Sequence, residues 1–208
     1  MTLSGARALV GALLALIVIA RPAPGAEPVI VVLGDSLTAG FGLTPDEAFP
    51  AVIERKLRRE GYHYRVVNAG VSGDTTAAGL RRVDWVLRSQ PAIAIVALGA
   101  NDGLRHQSVT AMRDNLVEIV RRLRAAGAGV LLAGMRVPSN YGPEYTRAFA
   151  AVFPDVARTA GVPLAPFLLD GVAGEARLNQ PDGIHPTAEG HRVIADNLWL
   201  HLKPLLRQ

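Results

Sequence analysis

The sequence predicts a doubly wound α/β sandwich. Strand-like and helix-like segments alternate from Val29 to the end of the 208-residue chain, the order that builds a parallel sheet with helices on both sides. Most strand-like segments are continuous apolar runs, as in parallel strands covered on both faces. Half of the residues are hydrophobic, enough for the core of a single domain of this length.

The elements follow in order. Val29–Leu33 is the first strand. Thr44-Pro45-Asp46-Glu47 reads as a capping box with Pro at the first helical position, opening a helix that Gly61 stops. Tyr64–Asn68 is the second strand, and Asp74-Thr75-Thr76 opens a helix running to Gln90, before Pro91. Ala92–Leu98 is the third strand, followed by a helix from Val109 to Ala126 that Gly127 ends. Val130–Gly134 is the fourth strand, and a helix over Glu144–Ala160 ends at Gly161. Pro163–Phe167 is the fifth strand, and Pro186 to Leu206 forms the last helix.

Residues 1–26 stand apart. Arg7 precedes the apolar run Ala8 to Ala20, and Arg21-Pro22-Ala23-Pro24-Gly25-Ala26 follows. A short positive start, an apolar stretch and a small-residue exit form the pattern of a secretory signal peptide. The run falls short of the about 20 apolar residues that span a bilayer comfortably. The expectation is a signal peptide over 1–26, cleaved near Ala26, and a mature domain over 27–208 in the periplasm or outside the cell. Cysteine is absent, so the exported fold rests on its core without disulfides, and thiolate chemistry is excluded. The net charge is +4, and Arg7 and Arg21 account for two of those charges. That balance does not suit a nucleic-acid partner. The basic cluster Arg55-Lys56-Leu57-Arg58-Arg59 shares a helix with the apolar stripe of Val52, Ile53 and Leu57, and reads as its solvated face.

Chemistry-bearing residues fall at strand ends, where ligands bind in open α/β sheets. Ser36 follows the first strand in Gly34-Asp35-Ser36-Leu37, and Asp182-Gly183-Ile184-His185-Pro186 lies beyond the last. A serine hydroxyl is a poor nucleophile at neutral pH unless a base takes its proton. His185 has the basicity for that transfer and for the return of the proton to a leaving group. Asp182, three positions earlier, is placed to fix the imidazole tautomer and stabilise the imidazolium. Pro186 suits the first position of the last helix, which would hold His185 at its entry. A tetrahedral intermediate needs donors where its negative charge develops. The candidates are the Ser36 N–H, the N–H of Gly70 in Asn68-Ala69-Gly70, and the side-chain amide of Asn101 in Gly99-Ala100-Asn101-Asp102. Taken singly, Gly70 and Asn101 also read as ordinary turn residues. Gly34, Gly40 and Gly42 fit neither the dinucleotide nor the Walker pattern, and no clustered His pattern points to a metal. No cofactor is expected.

With these blocks assembled, the chain resembles the SGNH hydrolases, also called the GDSL esterase/lipase family. The likeness rests on Gly34-Asp35-Ser36-Leu37, on Asn68 to Asp74, on Gly99-Ala100-Asn101-Asp102 and on Asp182-Gly183-Ile184-His185, in that order. It is similar above all to the branch of periplasmic acyl-CoA thioesterases, lysophospholipases and arylesterases, which the Pro138-Ser139-Asn140-Tyr141-Gly142 loop also resembles. Ala100 is a departure, since that branch often carries a second Gly before the Asn. The resemblance implies a flavodoxin-like three-layer α/β/α sandwich with a parallel five-stranded sheet. It implies Ser36 as nucleophile, His185 as base, Asp182 as its partner, and Ser36, Gly70 and Asn101 as the oxyanion hole.

The reaction so implied is cleavage of acyl esters, acyl thioesters or lysophospholipids through an acyl-enzyme. Two alternatives stand beside it: a carbohydrate or peptidoglycan O-acetylesterase, and a non-catalytic lipid-binding protein on the same fold. The intact Ser36, Asp182 and His185 weigh against the second, and the scarcity of aromatics weighs against a sugar platform. Leu104, Val137, Tyr141 and Ile184 lie beside motif residues and are the candidates for lining an acyl channel. The expected partner is a small-molecule acyl ester or thioester. Transient contact with membrane lipids is compatible with this reading, and the oligomeric state is left open.

Overall fold

The computed structural model describes residues 27–207, so the expected signal peptide over 1–26 and its cleavage near Ala26 lie outside the described residues. Five strands form one parallel sheet: β1 (Val29–Gly34), β2 (Arg65–Gly70), β3 (Ile93–Ala97), β4 (Gly129–Ala133) and β5 (Leu164–Ala165). Their order is β2-β1-β3-β4-β5, the flavodoxin-like arrangement, which opens a crevice where the order reverses between β1 and β3. Every residue of β1 and β3 is buried, which explains their unbroken apolar sequences. In β1–β2 pairing, Val29 lies opposite Arg65 and Gly34 opposite Gly70. Both strands therefore end level with one another, beneath the crevice.

The helices are α1 (Ser36–Ala39), α2 (Phe49–Arg59), α3 (Thr76–Arg81), α4 (Val83–Leu87), α5 (Ala100–Leu104), α6 (Val109–Ala125), α7 (Pro143–Ala160) and α8 (Ala188–Leu202). On one face of the sheet α2 packs against α8; on the other, α6 lies between α3 and α7. Three elements differ from expectation. The capping box of Thr44 and Glu47 is present, but it caps a single 3₁₀ turn, and α2 begins separately at Phe49. The helix expected from Asp74 to Gln90 breaks at Arg82 into α3 and α4. The last helix starts after its cap Thr187, whose side chain accepts from the Gly190 N–H. Pro186 instead pairs with Asn179 in an isolated antiparallel bridge.

A buried histidine joins the two helices of the α2–α8 face. His191 is 1% exposed, and its Nδ1 accepts a hydrogen bond from the Phe49 N–H at 3.0 Å. That bond satisfies a donor of the first helical turn, which has no partner inside the helix. The imidazole must be neutral to accept it. Burial pushes the His191 pKa down to about 4, partly opposed by Glu47, while the His185 ring lies near enough to add to the lowering. The unfolded chain therefore binds this proton from about pH 6.5 downward, whereas the folded chain resists it until about pH 4. Stability from this site is complete above pH 6.5 and is lost as pH falls toward 4, up to about 3 kcal/mol. Asp35, pushed up to about 6 by burial, acts with the opposite sign. Comparison of Tm from pH 7 to pH 4 with that of His191→Asn, which keeps an acceptor but cannot titrate, isolates the histidine. The wild type is expected to lose more Tm than the variant over that range; parallel curves would contradict the assignment.

Candidate active site

Ser36 owes its position to the abrupt end of β1. Asp35 caps α1, its carboxylate accepting from the Leu37 N–H at 3.0 Å, and Ser36 is the first helical residue. At that position its N–H has no intrahelical partner. Asp35 is 1% exposed. Burial raises its pKa to about 6, while the Leu37 N–H and the Asn101 amide pull the other way.

His185 and Asp182 sit on the loop before α8. The loop is closed by the Asn179–Pro186 bridge and by the Gln180 N–H donating to the His185 carbonyl at 2.7 Å. The bridge, rather than a helix start at Pro186, holds His185 in place. Its Nε2 lies 3.0 Å from Ser36 Oγ and its Nδ1 lies 2.7 Å from Asp182 Oδ2. The other carboxylate oxygen of Asp182 accepts from the N–H groups of Ile184 and His185, each at 3.0 Å. The imidazole contact foremost, with these two N–H groups, holds the Asp182 pKa down at about 2, so this carboxylate is charged throughout the neutral range. The Phe41 ring packs on the imidazole at a centroid distance of 4.5 Å. Gln180 ties the two loops together, its Nε2 donating to the Phe41 carbonyl at 2.7 Å and the Pro186 carbonyl at 3.0 Å. Ser36, 149 positions from His185 in sequence, thus comes within hydrogen-bond reach of the Asp182–His185 pair.

Asn101 lies in the first turn of α5, directly beyond β3. Its Nδ2 donates to the Asp74 carbonyl at 3.0 Å and, at a longer 3.3 Å, to Asp35 Oδ2. The Asp74 bond sets the plane of the amide, and the weaker contact leaves its second hydrogen the more easily diverted.

Gly70 does not take the place expected of it. Its N–H donates to Asn68 Oδ1 at 2.9 Å, and it does not border the cavity beside Ser36. It is glycine because α1 crosses so closely that a Cβ there would sit 2.2 Å from the Ala39 nitrogen. Of the glycines in the block from Asn68 to Asp74, the one that borders the cavity is Gly73. The turn Val71-Ser72-Gly73-Asp74 is closed by the Asp74 N–H donating to the Val71 carbonyl at 3.1 Å. Gly73 has φ +84°, the value that the third position of a type II turn demands. Its carbonyl accepts from Arg105 at 3.0 Å. The structure thus gives Gly70, the last residue of β2, no place beside Ser36, and brings Gly73, three residues beyond it, to the cavity instead. The signal was available in the sequence as a glycine in the third place of a four-residue turn.

A cavity of about 630 Å³ opens beside Ser36. Leu104, Val137 and Ile184 line it, together with Leu37, Phe41, Met135, Phe167 and Leu169. Tyr141 does not. It lies on a separate surface depression with His106 and Tyr145, and its hydroxyl donates to the Leu104 carbonyl at 3.2 Å. Tyr141 therefore braces the lining from behind. Phe41, Met135, Phe167 and Leu169 escaped sequence reasoning because apolar residues near a strand end carry no mark of which way they point.

Comparison with known proteins shows the family and the fold. Residues 32–193 match the GDSL-like Lipase/Acylhydrolase family. Esterase TesA of Pseudomonas aeruginosa is 42% identical over 199 residues, covering 95% of this chain and 98% of that protein. Thioesterase 1/protease 1/lysophospholipase L1 of Escherichia coli is 38% identical over 182 residues, covering 87% of this chain and 86% of that protein. A crystal structure of TesA superposes with a TM-score of 0.83 at 43% identity, over 86% of this chain and 99% of the other. A family match over residues 32–193, with relatives of this identity and coverage, makes this chain a member of the GDSL-like lipase/acylhydrolase family.

Proposed function

We propose that the protein hydrolyses carboxylic esters and thioesters through an acyl-enzyme on Ser36. The observation that carries this reading is the unbroken Ser36–His185–Asp182 relay beside a deep apolar cavity. Ser36 Oγ attacks the acyl carbonyl as His185 Nε2 takes its proton. Asp182, held ionised, keeps Nδ1 protonated and stabilises the imidazolium. The carbonyl oxygen becomes an oxyanion, received by the N–H groups of Ser36 and Gly73 and the Asn101 amide. On collapse, His185 gives the proton to the departing alcohol or thiol. Water, deprotonated by the same imidazole, then releases the acid.

The cavity wall points to the acyl group as the part of the substrate that is bound. Each buried methylene is worth about 0.8 kcal/mol, so kcat/KM should rise severalfold per carbon until the pocket is full. Phe41, Leu104 and Ile184, at 50%, 41% and 48% exposed, form an apolar rim at the cavity, which suits transient contact with a lipid surface. The test is a series of aryl esters from acetyl to palmitoyl, with an acyl-CoA thioester, a lysophospholipid and an acetylated sugar alongside. Medium-chain esters are expected to outrun acetyl esters by at least about tenfold in kcat/KM. Acetyl esters and acetylated sugars turned over fastest would support the O-acetylesterase reading instead.

A further inference from the structure

The break between α3 and α4 has a chemical result. Arg82 stands at that break with φ −108° and ψ 9°, outside both helices, and its side chain runs back beneath the strand ends. Each guanidinium nitrogen meets a different segment of chain. Nε donates to Asp74 Oδ2 at 2.6 Å, Nη1 to the Ala69 carbonyl at 2.7 Å, and Nη2 to the Gly34 carbonyl at 2.8 Å. The Arg82 and Asp74 side chains are 18% and 14% exposed, so the group is largely screened from water. Neither residue borders the cavity, so neither touches the substrate.

The anchored segments carry two of the proposed oxyanion donors, those of Ser36 and Gly73, and orient the third, Asn101. Gly34 stands two residues before Ser36. Ala69 ends the stretch that leads into the Gly73 turn. Asp74 closes that turn, and its own carbonyl is the acceptor that orients the Asn101 amide. We infer that Arg82 is a positioning residue for oxyanion stabilisation: it fixes Asp74 against the end of β1, and through the Asp74 carbonyl it sets the plane of the Asn101 amide. This rests on the oxyanion role proposed above for Asn101. A planar fork of five donors spans three acceptors at fixed angles; a lysine ammonium, a single point, does not. Donors to an oxyanion act by being in place before charge develops, so a small rotation of the amide is costly in rate and nearly silent in substrate binding.

A purely structural arginine would affect Tm and leave the folded enzyme's kcat alone. The test is therefore a double-mutant cycle on the full enzyme. Arg82→Lys and Arg82→Ala are made in the wild type and in Asn101→Ala, and kcat, KM and Tm are measured for each on an aryl ester. Arg82→Lys, which keeps the charge, is expected to fold and to lose about tenfold or more in kcat with KM within about threefold. In the Asn101→Ala background the same change should cost about threefold or less, because the group it positions is gone. Guanidinium ion added to Arg82→Ala should recover part of its kcat. If Arg82→Ala does not fold, the Lys variant alone decides. A kcat for folded Arg82→Lys within about twofold of wild type, or an equal loss in both backgrounds, overturns the inference. Should Asn101→Ala itself retain full kcat, the oxyanion reading fails first, and the positioning role falls with it.

Discussion

Ser36→Ala is expected to fold normally and to hydrolyse aryl esters about 10⁴-fold more slowly, or worse. Loss of a triad nucleophile removes the covalent route altogether, and what survives is the residual catalysis of oxyanion donors and binding. The fold should not register the change. Ser36 is partly exposed at the edge of the cavity, and its Oγ meets His185 without supporting any strand or helix. Tm should therefore stay within a degree or two of wild type, as for an exposed site without a structural partner. An organophosphonate supplies the complementary measurement, since it captures the activated hydroxyl covalently. The label should map to the peptide containing Ser36. Ser72 also borders the cavity and serves as an internal control; its labelling, or an active Ser36→Ala variant, would falsify the assignment.

Asn101→Ala is expected to lower kcat by about 10²–10³-fold, the cost of one oxyanion donor. KM should move little, because the amide gains its full hydrogen bond only as charge builds on the oxygen. The resting contacts make this prediction sharp. The amide already has the Asp74 carbonyl and a long contact to Asp35, so its truncation also frees a half-buried carbonyl and weakens one support of Asp35. A purely structural Asn would lose stability from those contacts while kcat of the folded fraction held. Tm and kcat measured on one preparation separate the two roles, and a kcat within a few-fold of wild type would remove Asn101 from the chemistry.

The sheet was legible because its signal is redundant. Each central strand is an apolar run that no amphipathic helix would imitate, and β1, β3 and β4 lie within a residue or so of expectation. The relay was legible because each member has few chemical substitutes and stands after a strand. Where the reading failed, local sequence was consistent with two geometries. Nothing at Arg82 resembles a helix breaker; the break follows from tertiary bonds to three carbonyl and carboxylate oxygens that lie 8, 13 and 48 positions away. Gly70 and Gly73 stand three residues apart at the end of β2 and just beyond it, and only the path of α1 decides which of them is walled off. Pro186 fits a helix start in isolation, but the pairing with Asn179 competes for it. Fold thus follows from patterns within segments, and the errors lie where segments meet.

The Gln180 side chain, spanning from the Phe41 carbonyl to the Pro186 carbonyl, has a bearing on when the molecule becomes reactive. The proposed nucleophile and base are separated by 149 positions, and every group described as fixing the imidazole belongs either to the 179–186 loop or to the Phe41 loop that it clasps. A chain lacking the 179–186 loop contains the attacking hydroxyl, the oxyanion donors and much of the acyl pocket, but it has nothing to accept the proton. On the chemistry proposed above, reactivity therefore waits on closure of the 179–186 loop over the Phe41 loop. A chain whose sheet has formed but whose loop has not yet closed is expected to be inert toward esters.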